Sequence, residues 1–121
     1  MLGKDLMILF TVDPRTNPER TALALSIAAA AQVSGAQVSF FLAQDGVFAA
    51  VKGGLKGLTV PEFAPLDEIM DILHEEGVKF HVCHPFLGPR NLRIEDLHEG
   101  VLLTSAVGLV QQGTNASILT F

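Results

Sequence analysis

The chain is 121 residues long, with 49% hydrophobic residues, 17% charged residues and a formal net charge of −5. This composition excludes a disordered chain, suffices for one domain spanning 1–121 with a real core, and argues against nucleic acid, which favours basic surfaces. The single cysteine excludes an intramolecular disulfide and suits a reducing compartment, so a cytoplasmic protein is expected.

No membrane partner is expected either. The apolar run Leu6 to Val12 stops at Asp13-Pro14, and the alanine-rich stretch Ala22 to Ala31 falls far short of the ~20 apolar residues a bilayer requires. The sequence contains neither a signal-peptide core nor a small-residue cleavage site.

Leu6 to Val12 reads as a strand buried on both faces of a parallel sheet. Asp13 to Asn17 is turn chemistry, with Asn17 as the N-cap of a helix that opens on Pro18-Glu19 and runs to about Val33. Ser34-Gly35 ends it. Gln37 to Leu42 is the second strand, followed by the turn Asp45-Gly46 and a short helix over Val47 to Lys52. Gly53, Gly54 and Gly57 mark a loop that continues to Pro65. Leu66, Ile69, Met70, Ile72 and Leu73 are spaced as one face of an amphipathic helix, closed by Gly77.

Val78 to Cys83 is the third strand, broken by His84-Pro85. Ile94 to His98 is expected to form one helical turn, and Val101 to Leu103 a short fourth strand. Thr104 or Ser105 caps a helix reaching about Gln112, and Ser117 to Phe121 is the last strand. The alternation predicts an α/β three-layer sandwich, a mostly parallel five-stranded sheet with helices on both faces. There is no internal repeat or linker.

In open parallel sheets, ligands bind beyond the carboxyl ends of the strands. That rule selects Asp13 to Asn17, Asp45-Gly46, Cys83-His84-Pro85 and Thr104-Ser105. A flavodoxin-like order would make strands one and three neighbours, so that Cys83 faces the Asp13–Asn17 loop.

Cys83 has two readings, a buried small hydrophobe or a reactive thiol whose pKa is lowered by nearby positive charge. His81 shares its strand face, about 6–7 Å away along the strand, and reads first as a satisfied core histidine. His84 is adjacent, and Arg90 and Arg93 follow in the loop. Asp13 and Asn17 have turn and capping duties, whereas Arg15 has none and is a candidate anion ligand at a helix N-terminus. Asp45-Gly46 is a turn first and a binding edge second.

No metal is expected, because His81, Cys83 and His84 lack the paired spacing of a zinc site. No cofactor is expected, because no dinucleotide or phosphate-loop motif is present. A hydrolase nucleophile elbow is also absent.

Three stretches then stand out together. They are Asn17-Pro18-Glu19-Arg20 before an alanine-rich helix, Gly77-Val78 leading through the strand to Cys83, and the closing Leu119-Thr120-Phe121. In that order, with Val38 to Leu42 before Asp45-Gly46-Val47, the chain resembles the DsrE/DsrF-like family, which includes the TusD-type sulfur-relay proteins.

The resemblance implies a trimer or hexamer and a sulfurtransferase-type role. In that role a cysteine at the position of Cys83 carries sulfur as a persulfide between donor and acceptor proteins. His84, Arg15 and Asn17 would then hold or tune the anionic sulfur. Some relatives carry a second cysteine where this chain has Phe86-Leu87-Gly88, so no resolving thiol exists within one subunit. The alternatives are a non-catalytic homo-oligomeric binding or scaffold protein with Cys83 as packing, and, less favoured, a thiol peroxidase.

Overall fold

A computed structural model describes residues 5–121; residues 1–4 of the expected 1–121 unit lie outside the described residues. Five strands form one sheet: β1 (Asp5–Phe10), β2 (Gln37–Leu42), β3 (Lys79–Cys83), β4 (Leu102–Thr104) and β5 (Ala116–Thr120). The sheet is wholly parallel, in the order β4-β3-β2-β1-β5. The helices are α1 (Pro18–Val33), α2 (Leu66–Glu75) and α3 (Ala106–Gly113). The α/β class and the five-stranded parallel sheet thus agree with the sequence.

The strand order differs from the flavodoxin-like one. β3 lies between β2 and β4, and β1 lies between β2 and β5. Cys83 therefore does not face the Asp13–Asn17 loop, which is separated from it by β2. The strands themselves follow their apolar runs, because a strand covered on both faces needs apolar residues without alternation.

β1 ends at Phe10, not Val12 as the run suggested. Thr11 instead donates from its backbone N–H (2.9 Å) and its hydroxyl (2.8 Å) to the Phe121 carbonyl. The expected helix over Val47 to Lys52 is a 3₁₀ segment at Gln44–Ala50. Short 3₁₀ turns also occupy His84–Phe86, Gly88–Arg90 and Ile94–Asp96.

The crossovers fix the layers. The steps from β1 to β2 and from β4 to β5 run in opposite directions, so right-handed connections put α1 and α3 on opposite faces. One face carries Ile8, Phe10, Val38, Phe40, Leu42, Phe80 and Val82, packed beneath α1, α2 and the loops around Leu55, Leu87 and Leu97. The other face carries Met7, Phe41, His81 and Cys83, by the two-residue period of a strand. Among the described residues, only the eight-residue α3 crosses it, and a Cβ added at Gly113 would meet the Ile118 and Met7 side chains. Gly35, at φ 98°, supplies the left-handed residue that ends α1.

Candidate functional site

Cys83 is the last residue of β3, after which exposed His84-Pro85 turns the chain into the first 3₁₀ segment. The thiol is free and only 6% exposed. Burial pushes its pKa up, and no cation among the described residues offsets the shift. Thr104 of β4 is its register partner. The lowered thiol pKa that a reactive reading invokes is therefore absent from the isolated chain.

His81 lies two residues back on the same face. It is 5% exposed, and its ring stacks on Phe41 of β2 at 4.5 Å between centroids, 9° from parallel. Phe41 and His81 are register partners, which is why the rings meet. The Nε2 atom is buried and has no hydrogen-bond partner among the described residues. The expectation of a satisfied core histidine is thus corrected. Desolvation pulls the His81 pKa down, and Lys79 on the same face adds to this.

The loops at the carboxyl edge are tied together by charge. Arg15 grips Asp13 with two side-chain bonds, Nε to Oδ1 at 3.0 Å and Nη2 to Oδ2 at 2.8 Å, and lies 4.2 Å over the Phe48 ring. The Arg15 guanidinium holds the Asp13 carboxyl below the usual carboxylate range. Asp45, whose charge also acts on Arg15, accepts from Arg90 Nε at 2.9 Å. Arg90 also donates to the Phe86 carbonyl at 3.1 Å. The β2 loop is thereby tied to the segment that follows Cys83.

Asn17 occupies the N-cap position of α1 but makes no capping bond with its side chain; its Nδ2 donates to the Asp13 carbonyl at 3.1 Å. Gly46 is buried against the end of β1. Among the predicted residues, then, Asp45, Gly46 and His84 lie on the loops nearest Cys83. Asp13, Arg15 and Asn17 group around β1, one strand further on.

Phe41, Phe48 and Phe86 were not singled out from the sequence. Their part depends on strand register and loop contacts, and no local motif signals either. Two larger depressions lie elsewhere. One, about 720 Å³, is lined by Asn17, Arg20, Phe63 and Phe121 beyond β1 and β5, where the strand order reverses. The other, about 540 Å³, opens at the amino ends of the strands near Gln37 and Lys79. Neither is lined by Cys83.

Among the described residues, no three His, Cys, Asp or Glu side chains are grouped to hold a metal ion. No helix there is long and apolar enough to cross a membrane.

A protein from Methanopyrus kandleri described as uncharacterized, MK0008, is 33% identical over 108 residues, covering 89% of this chain and 86% of its own. Two solved structures share the fold. The ychN protein from E. coli aligns with a TM-score of 0.70 and 24% identity, over 98% of this chain and 99% of its own. MTH1491 from Methanobacterium thermoautotrophicum, described as of unknown function, aligns with a TM-score of 0.71 and 16% identity, over 96% of both chains. The sequence model of the DsrE/DsrF-like family matches residues 4–121. With the parallel sheet and a lone thiol at the end of β3, the chain belongs to the DsrE/DsrF-like family.

Proposed function

We propose that the protein is a cytoplasmic sulfur carrier of the sulfurtransferase type. Cys83 takes sulfane sulfur from a donor protein as a persulfide and passes it to an acceptor. The observation that carries this reading is the place of the only thiol, at the carboxyl end of a central parallel strand in a DsrE/DsrF-like chain. The loading step balances without a redox partner: Cys–SH and R–S–SH give Cys–S–SH and R–SH. The His84 turn and the Asp45–Arg90 tie frame the strand end where the persulfide forms, and the Asp13, Arg15 and Asn17 loop lies beyond β2.

The test is intact-protein mass spectrometry after the reduced protein is incubated with a persulfide donor. The native chain gains one sulfur atom, removable by reductant, and Cys83→Ser gains none. A second reading, a non-catalytic oligomeric binding or scaffold protein, is favoured by one fact: Cys83 is buried and its thiol pKa is raised. Under that reading no sulfur is gained, and Cys83 alkylates only when the protein unfolds.

The carrier acts as a homo-oligomer, with a trimer or hexamer implied by the family resemblance. Residues 101–121 contain no Asp, Glu, Lys, Arg or His. None of them is buried, and Val107 (64% exposed), Val110 (69%) and Ile118 (48%) are apolar. For a chain of net charge −5, this uncharged stretch offers a second copy the approach with least repulsion. Light scattering is expected to give a multiple of 12.9 kDa that Val110→Glu lowers. A native mass of one subunit would overturn the assembly.

A further inference from the structure

The sulfur-carrier reading leaves one buried titratable group without a task. We propose that His81 is the proton acceptor for Cys83 during sulfur loading, an inference that rests on the carrier reading. Three observations converge on it. His81 and Cys83 stand two residues apart on one strand, on the same face, with Cα atoms about 6.6 Å apart. The imidazole is 95% out of solvent, judged from its 5% exposure, and its Nε2 has no partner among the described residues. The ring is fixed in place by its stack on Phe41. A buried polar atom left unpaired costs free energy, so it persists where it has a use.

The thiol needs such a group. Only a thiolate attacks sulfur efficiently, and burial disfavours the thiolate here. A neutral imidazole offers a lone pair, and desolvation keeps His81 neutral. The other titratable group on this face of β3 is Lys79, a cation that favours the neutral ring. β2 contributes Phe41 and Ser39 to the face, and β4, α3 and β5 contribute no titratable group, since residues 101–121 contain none.

In the step, the Cys83 side chain, which makes no hydrogen bond to His81 Nε2 in the resting chain, turns toward the fixed imidazole and gives it the proton as Sγ attacks the outer sulfur of a persulfide donor. The new Sγ–S bond forms while the donor's S–S bond breaks. The electron pair leaves on the donor's inner sulfur, which then takes the proton back from the imidazolium. Cys–SH and R–S–SH become Cys–S–SH and R–SH, with His81 restored.

The test is the rate of persulfide loading by cysteine persulfide between pH 5 and 9, followed by intact mass. It is run on the native protein, His81→Gln and His81→Phe, the last retaining the aromatic stack. In the native protein the rate rises through a pKa below about 6.5, the free histidine value, and then levels off. Both variants load on the order of 100-fold more slowly at neutral pH, and their rates climb steadily with pH as the thiol alone ionises.

Native loading that climbs throughout with no early plateau would overturn the role of His81, even if neither variant folds. So would variants that load at the native rate. If the native chain takes up no sulfur at all, the carrier reading fails and this inference falls with it; a native chain that loads beside unaffected variants sinks the His81 role alone.

Discussion

Replacing Gly46 with alanine will lower the melting temperature by roughly 10 °C, for a loss of about 3 kcal/mol. A Cβ at this position would lie 2.0 Å from the Phe10 carbonyl oxygen and 2.7 Å from its carbon. Both are backbone atoms at the end of β1, so no side-chain rotation relieves the clash. The same oxygen accepts a hydrogen bond from Ala43 N–H at 3.0 Å, and Gly46 N–H donates to the Ala43 carbonyl at 2.9 Å. Making room for a methyl group must break or stretch one of these bonds. The effect reaches the site, because Asp45 is the next residue and holds Arg90 beside the Cys83 loop. Thermal unfolding followed by circular dichroism checks the loss. A melting temperature within 2 °C of native would mean that the 3₁₀ segment moves aside freely, and that the β2 loop is not locked onto β1.

Gly46 also marks the limit of what the sequence makes legible. Asp45-Gly46 signals a turn, and the chain does turn there. The left-handed residue, however, is Gln44, at φ 52°, and Gly46 is required for space instead. Strands and helices were readable because Leu6 to Phe10 is an apolar run of strand length, and Val38 to Leu42 and Phe80 to Cys83 are apolar but for Ser39 and His81. The face of α2 was readable because Leu66, Met70 and Leu73 recur at helical spacing.

Strand order was not readable. Right-handed crossovers permit β3 to lie beside either β1 or β2, and nothing local to the run Val78 to Cys83 chooses between them. The consequence for the site was direct: the Arg15 loop is separated from Cys83 by β2, and Asp45 takes its place nearby. The orphaned Nε2 of His81 was equally hidden, since it depends on which residues cover one face of the sheet. The open face over α3 did leave a signal, in the absence of any charge from Val101 to Phe121.

Phe80→Ala is expected to cost about 4 kcal/mol, within the range for emptying a buried phenylalanine site. Phe80 is buried and stacks on its register partner Phe40 at 4.9 Å between centroids. The space among Phe10, Leu25, Phe40, Met70 and Phe80 has a free volume of only about 10 Å³, so the neighbours are already in contact. Collapse into the void would have to drag α2 toward the sheet, and close packing resists that.

Denaturant unfolding measures the loss, and an unchanged midpoint would show that the core repacks without cost. The same variant separates the two readings of Cys83. Phe80 faces the helical layer, while Cys83 lies on the opposite face of β3, so the substitution leaves the thiol's own neighbours in place. If Cys83 reacts only after unfolding, its alkylation tracks the unfolded population and speeds up by roughly 1,000-fold for a 4 kcal/mol loss. If the thiol is reached in the folded protein, as a sulfur carrier requires, alkylation of Phe80→Ala stays within a few-fold of native. A 1,000-fold acceleration would move the protein to the packing reading of Cys83, whatever family the fold belongs to.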